Sequence, residues 1–483
     1  MSLSRRRFLQ GSAVATAALG MPLLASSRVR AANDEIGVAI LGLGGRGRSA
    51  HIPRMGSQPG VRIVAVCDPD GKALDQGAAV VAKLFHYQPE KYSDVRKLLE
   101  RKDIQVLSNA TQNYWHVLST IWACQAGKHV YCEKPVSHYI WEGRQMVNAA
   151  RKYGRLVQTG TQQRSRPATR EAIAWLQAGN LGRVRYVTCF ANKPRKSVGK
   201  RSTPLPIPAS VDFDLWCGPV QKRPIYRDRL QYDCSFDFHT GGGEYCNQGV
   251  HELDVARWLL GEKDLPRRVM SLGGRFTFND AADAPNTQIV CLEFASAPVL
   301  YEVHNLMAGS GSKLVPDFRG HRVGVVADCE GGSLAITQEY ARALDPKGQV
   351  IKSWKSDETN FQTLINAVRS GRREDLTSEI LEGHLSTRLC HVGNISHRLG
   401  TVAGVAEQRR AVQEVPAYAE MHERFLQHLA ANRIDPGTAT LGPWLECDSE
   451  HECFHGNAAA NKLVRGSYRE PFVVPEISPT SPH

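Results

Sequence analysis

Apolar and polar positions along the first third of the chain follow two alternating periods. A short apolar run, Ile36 to Leu41, precedes a glycine-rich turn and a helical segment, and "VRIVAVCD" (Val61 to Asp68) is a second run of strand length. Helix-like "DGKALDQGAAVVAKL" ends before Phe85, "SDVRKLLERKD" leads into "IQVLSNA", and "YWHVLSTIWACQAGKH" stops at Gly127 ahead of "HVYC". A further helix around "YIWEGRQMVNAARKYG" closes on Gly154 and feeds "RLVQTG". Apolar strands alternating with such helices predict a doubly wound parallel sheet covered on both faces.

The pattern changes after about Gly160. Helix-like "TREAIAWLQAG" is followed by "VRYVTCFA", and later by "RRVMSLGGRFTF", "TQIVCLEFA" and "PVLYEVHNLM". These runs are apolar, rich in β-branched residues and spaced as successive strands of one sheet. "TPLPIPAS" is a proline-rich loop. Two periodicities joined near Thr159 imply two domains, as 483 residues would lead one to expect. The cleft between them is a natural ligand site.

Composition changes this picture little. Hydrophobic content of 42% and charged content of 22% are those of a globular chain. The formal charge of +12 is partly local, because Arg5, Arg6, Arg7, Arg28 and Arg30 lie in the first 31 residues, which hold no acid. The remaining 55 basic and 48 acidic residues are scattered, with no basic run interleaved with aromatics, so no nucleic-acid partner is expected. The start itself, "SRRRFLQ", resembles a twin-arginine export signal. The uncharged stretch Gly11 to Ser27 and the small residues of "VRAAN" around Ala31 complete a leader over residues 1–31. Export in folded form is expected, with no membrane association beyond the leader.

Twelve cysteines in an exported protein would suggest disulfides, but folding in a reducing cytoplasm and the lack of a Cys-x-x-Cys pair favour buried thiols. Cys67, Cys132, Cys189 and Cys291 fall inside apolar strand-like runs. Cys447, His451, Cys453 and His455 put four candidate ligands in nine residues. Their spacing matches no common zinc pattern, and no metal is expected.

Candidate chemistry begins at Gly42-Leu43-Gly44-Gly45-Arg46-Gly47, a Gly-x-Gly-x-x-Gly with a strand before it and a helix after it. Gly42 permits the tight turn, Gly44 a close approach to a pyrophosphate, and Gly47 close packing of helix on strand. The helix start offers N–H groups and its positive end to phosphates. Asp68 ends the second strand 26 positions after Gly42, against a usual spacing of about 20, with a longer connection through Pro53 and "GSQPG". An acid there accepts bonds from ribose hydroxyls and repels an additional phosphate, which favours NAD; Arg46 and Lys72 nearby leave NADP open.

"GLGGRG", "GKHVYCEKP" and "NQGVHELD" stand in the order and at the approximate spacing of the glucose–fructose oxidoreductase and inositol dehydrogenase (Gfo/Idh/MocA) family. "DLWCGP", "GNISHRLG" and "YREPFVVP" also look like its exported bacterial members, so the resemblance extends over nearly the whole mature chain. It implies an α/β protein: a Rossmann domain over 35–158, then an α+β substrate domain with an open, mostly antiparallel sheet over 159–400. A helical extension and tail, 401–483, offers packing or subunit contact, and a homo-oligomer is expected.

Glu133, Lys134 and Pro135 follow directly on strand "HVYC", at the sheet end where ligands bind. Lysine desolvated there loses basicity and can handle protons. In the family this lysine is catalytic and its bond to the proline is cis. Gly45, Arg46, Thr111, Asn113, His116 and Glu133 join the glycines, Asp68 and Lys134 as expected cofactor contacts.

From Asn247 to Leu260 the pattern is helical and stops at Gly261. At about 100° per residue, Asn247, His251, Asp254 and Trp258 fall within roughly 60° of one another. Val250, Leu253, Ala256 and Leu260 make a core face. The resemblance makes His251 the general base, Lys134 its assistant on the substrate oxygen and Asn247 an orienting group. Inositol dehydrogenase has aspartate where Asn247 stands, and asparagine takes no proton. Asp254 either sets the histidine tautomer or pairs with Arg257.

These features together imply an NAD(P)-dependent oxidoreductase acting on a hydroxyl of a sugar or cyclic polyol, with tightly bound cofactor. The alternatives are a redox-neutral glycosidase, lyase or epimerase working through a transient keto sugar, and a non-catalytic sugar-binding protein.

Overall fold

The computed structural model describes residues 35–479, so the expected leader lies outside the described residues. The first sheet contains β1 (Ile36–Leu41), β2 (Val61–Cys67), β3 (Glu90–Tyr92), β4 (Val106–Asn109), β5 (His129–Cys132) and β6 (Val157–Thr159) in the order β3-β2-β1-β4-β5-β6. All its pairings are parallel. Strand order reverses between β1 and β4, and this opens a crevice at the carboxyl ends, where a ligand avoids the covering helices. Every residue of β1 is buried, as a strand covered on both faces requires.

The turn after β1 departs from a simple helix start. Gly47–His51 forms a π turn that passes into the α-helix Ile52–Gly56. Gly42 has φ of 85°, and a Cβ on it would lie 2.7 Å from the Ala110 backbone. A Cβ on Gly47 would collide with the Gly42 carbonyl. The first and third fingerprint glycines are therefore required by the turn and by its packing.

The second sheet contains β7 (Val184–Asn192), β8 (Arg268–Gly274), β9 (Thr287–Glu293), β10 (Pro298–His304), β11 (Val323–Cys329), β12 (Gly332–Ile336), β13 (Ala341–Leu344) and β14 (Val350–Trp354). β15 (Thr401–Val402), β16 (Thr440–Leu441) and β17 (Leu445–Asp448) join its far edge. β7 runs parallel to β10, and the other pairings are antiparallel. The overall class is α/β, with a parallel Rossmann sheet followed by a mostly antiparallel one.

Both faces of the second sheet are apolar. Val290 and Leu292 of β9 face the helix Gly249–Leu260 with Val250, Leu253 and Ala256, while Ile289 and Cys291 face the other way. That opposite face is covered by the helix Pro416–Ala431 through Tyr418, Met421, Phe425 and Leu429. The segment after residue 401 thus completes the sheet and its cover, and it does not stand apart as an extension. Its end returns to the Rossmann domain, where Phe472, Val474 and Ile477 pack in one core with Trp115 and Val136. The twelve cysteines are free thiols, eleven of them buried.

Candidate active site

A cleft of about 1300 Å³ runs from the β1 glycine turn to the helix Gly249–Leu260. Its nucleotide half is lined by Gly42, Gly44, Gly45 and Arg46, with Asp68 at the end of β2 and Thr111 and Asn113 after β4. A Cβ on Gly45 would meet nothing within 4 Å, and one on Gly44 only the Gln231 side chain at 3.8 Å. These two positions border open space, a backbone floor onto which a pyrophosphate fits. Asp68 accepts from the Leu43 and Asp70 N–H groups at 2.6 and 2.9 Å, and burial pushes its carboxyl up to about 6 despite those bonds. It is largely ionised at neutral pH, with lone pairs left for a diol.

Two expected cofactor contacts fall behind the wall. Gly47 is buried in the turn, and His116, 1% exposed, points away from the cleft. The His116 ring lies between the Pro135 carbonyl, 2.6 Å from Nδ1, and the Thr111 carbonyl, 3.1 Å from Nε2; burial lowers its basicity, and the neutral ring donates its one N–H to one of them. It braces the loop carrying Lys134, whose peptide bond to Pro135 is cis. A histidine in the apolar helix Asn113–Gln125 is drawn to these backbone carbonyls, and that use faces inward.

Glu133 is committed within the protein. Its Oε1 accepts from Arg46 Nε at 2.8 Å and lies 3.1 Å from His51 Nε2, while His51 Nδ1 meets Ser108 Oγ at 2.8 Å. Burial pushes the Glu133 carboxyl up, but His51 and Arg46 outweigh it and hold the group well below the usual carboxylate range. Arg46, one of the two cations that left NADP open, is thereby occupied. His51 was not marked by the sequence, because its partners come from β4 and from the end of β5.

The other end of the cleft brings Lys134, Asn247 and His251 together. Lys134 Nζ donates to the Asn247 carbonyl at 2.7 Å and to its Oδ1 at 3.3 Å. Burial pulls the lysine below its ordinary value, partly offset by Glu133 and Glu244. Burial, then the charge of Lys134, pulls His251 well below the usual imidazole range, so its ring is neutral at physiological pH.

The expected single helix from Asn247 is two segments, Gly243–Asn247 and Gly249–Leu260, meeting at Gln248. The break turns the Asn247 carbonyl out of helical pairing and toward Lys134. Asp254 does not serve His251. It is fully buried and takes Arg164 Nε at 2.8 and 2.9 Å and Ser386 Oγ at 2.6 Å, with Arg257 only at 3.9 Å. A carboxylate at that depth is held by the nearest guanidinium, which comes from a different segment. His451 turns to Asp448 at 2.9 Å, while Cys447 is buried beside it.

The sequence also left out Lys193, Arg195, Glu244, Gln248 and Glu252. Arg195 holds the buried Glu244 in a two-point pair at 2.7 and 3.0 Å. Lys193 Nζ donates to Gln248 Oε1 at 2.9 Å, and Gln248 Nε2 donates to Glu252 Oε1 at 2.9 Å. Burial pushes the Glu252 carboxyl up to about 8. "NKPRK" follows β7 directly, as "CEKP" follows β5, and that parallel placement was the available signal.

Residues 36–161 match the model of the oxidoreductase family with an NAD-binding Rossmann fold, the Gfo/Idh/MocA model. Over these residues the chain is similar to the Gfo/Idh/MocA family. Residues 2–22 match a twin-arginine translocation pathway signal sequence, which marks the chain for export by that route. The chain is 28% identical to inositol 2-dehydrogenase 4 of Saccharopolyspora erythraea over 65% of its own length and 78% of the relative's. A glycosyl hydrolase family 109 protein of the same organism is 35% identical over 31% of this chain and 37% of that one. The chain spans 27% to 55% of the length of the first curated relatives it matches. The aldose-aldose oxidoreductase of Caulobacter crescentus, solved with glycerol, aligns with TM-score 0.54 and 19% identity over 74% of this chain and 95% of that one. At that identity the likeness shows the fold.

Proposed function

We propose that the protein is an exported NAD-dependent oxidoreductase that oxidises a hydroxyl of a sugar or cyclic polyol and keeps its cofactor bound. The observation that carries this reading is the meeting of Lys134 and His251 at the end of a cleft that begins at the glycine turn. Gly42, Gly44 and Gly45 would hold the pyrophosphate, Asp68 the ribose, and Thr111 and Asn113 the wall beside them. Bound there, NAD supplies a hydride acceptor for the carbinol carbon.

The chain's own residues handle the proton. Burial lowers the basicity of Lys134, and in its deprotonated form the amine has two N–H groups and one lone pair. With both N–H groups on Asn247, the Lys134 lone pair is left for the substrate hydroxyl. His251, neutral and without a side-chain partner among the described residues, hydrogen-bonds the same oxygen or takes its proton. Asn247 orients the amine and need not titrate. Free NAD is scarce outside the cytoplasm, so a cofactor loaded before export must be retained and recycled in place.

The 35% identity to a glycosyl hydrolase family 109 protein supports a second reading, redox-neutral cleavage through a transient keto sugar. Both readings require NAD(H) in the purified mature protein, released on denaturation. A sugar panel followed by nicotinamide absorbance and by bond cleavage separates them. Lys134→Ala and His251→Ala should each lower turnover about 10²- to 10⁴-fold while retaining NAD(H). Turnover surviving both substitutions would sink the site, and protein repeatedly free of NAD(H) would sink the redox reading.

A further inference from the structure

The acids at the substrate end of the cleft are matched to arginines. Glu133 belongs to Arg46, and Glu244, fully buried, belongs to Arg195. Lys193 has no such match. It follows β7 directly, lines the cleft with Lys134 and His251, and has no acid within ion-pair distance among the described residues. Its Nζ rests on an amide oxygen, that of Gln248. Gln248 is itself fixed, because its Nε2 donates to Glu252, and this leaves its oxygen facing the lysine.

Glu252 does not balance the charge. Its Oε1 faces the Gln248 amide, and its Oε2 is buried without a partner. An ionised carboxylate with one oxygen in that state would be costly, and the group stays protonated through neutral pH. The backbone around Lys193 is held on both sides, its N–H by the His304 carbonyl and its own carbonyl by Asn305 Nδ2. A fixed ammonium lining a cleft with no acid within ion-pair distance is unfavourable unless an anion arrives with the ligand.

We infer that the substrate carries a carboxylate and that Lys193 binds it, so that the protein acts on an acidic sugar or carboxylated polyol. This assignment rests on the oxidoreductase reading for the reaction but not for the charge. A single ammonium flanked by an amide suits a monoanion. A phosphate dianion is met best by a guanidinium fork or several N–H groups, and Arg195, two positions along the chain, is already taken by Glu244.

The test uses the cofactor-loaded mature protein. Thermal unfolding and cofactor fluorescence are followed with uronic and aldonic acids, their neutral parent sugars and the corresponding sugar phosphates. The acids should stabilise the protein where neutral parents at equal concentration do not, and Lys193→Met should weaken acid binding about 30-fold or more. Lys193→Arg should keep much of that binding, and unliganded melting of both variants shows that they fold. Neutral sugars or phosphates binding as well as the acids would overturn the inference. So would a panel in which no acid binds, or a folded Lys193→Met that binds acids like the wild type. NAD(H) content is assayed separately. Cofactor with neutral-sugar oxidation alone removes this inference and keeps the proposed reaction, whereas acid binding without cofactor does the reverse.

Discussion

Lys134 Nζ lies closer to the main-chain carbonyl of Asn247 than to its side chain, 2.7 against 3.3 Å. The lysine is therefore anchored mainly by backbone, and Asn247→Ala should cost roughly 10-fold in kcat or less, well short of Lys134→Ala. Asn247→Asp puts a carboxylate beside the amine and favours its charged form. The acidic limb of the kcat profile should then move up by about one pH unit. Steady-state rates between pH 5 and 10 decide this. An alanine variant as damaged as Lys134→Ala would show that the side chain carries the contact.

The glycine turn separates packing from binding. Gly45→Ala should melt like the wild type, since its Cβ enters empty space, yet retain far less NAD(H). Gly47→Ala forces a methyl group against the Gly42 carbonyl and should cost about 1–3 kcal/mol of stability. Melting curves and cofactor assays on the two purified variants give the comparison. Equal NAD(H) content in Gly45→Ala and wild type would argue against a pyrophosphate on this floor.

Asp254 and Arg164 form a buried pair, 0% and 7% exposed. Asp254→Asn leaves the Arg164 guanidinium stranded but for Glu382, 3.0 Å from its Nη2, and should cost up to about 3–5 kcal/mol. Adding Arg164→Met removes the stranded charge and should restore part of that loss, so the double mutant is less damaged than the sum of the singles. Denaturant titration measures this coupling. Strict additivity would mean that the two side chains do not depend on each other.

Stability should peak near pH 6–7. Burial holds His138, His304 and His428 down at about 3. For these rings the unfolded chain takes up protons first, so their contribution is full above about 6.5 and is lost as pH falls toward 3. Burial acts oppositely on Glu142 and Glu252, raised to about 7 and about 8. Their contribution is full below about 4.3 and is lost as pH rises through 7 to 8, each group costing at most about 1.4 kcal/mol per pH unit. Melting temperature against pH should show both limbs, and Glu252→Gln should flatten the alkaline one. An alkaline limb unchanged in that variant would show that Glu252 is not its source.

Much of this protein was legible along the chain. The central strand β1 is a continuous apolar run because it is buried on both faces, whereas the edge strand β3, Glu-Lys-Tyr and largely exposed, left no such mark; the fingerprint glycines are demanded by the local backbone. The leader motif, the lysine after β5 and the helical face of His251 are also local patterns, and each was readable without a fold. Tertiary structure decided the pairing of charges. Arg46 with Glu133, Arg164 with Asp254, and Arg195 with Glu244 join residues between 49 and 90 positions apart, and periodicity carries no information about such partners. His116 read as a cofactor contact and became a brace, because its ring is buried against backbone carbonyls and does not line the cleft. Lys193 read as nothing until the acids around it were seen to be taken. A charge acquires meaning from its neighbours, and only the fold brings those neighbours together.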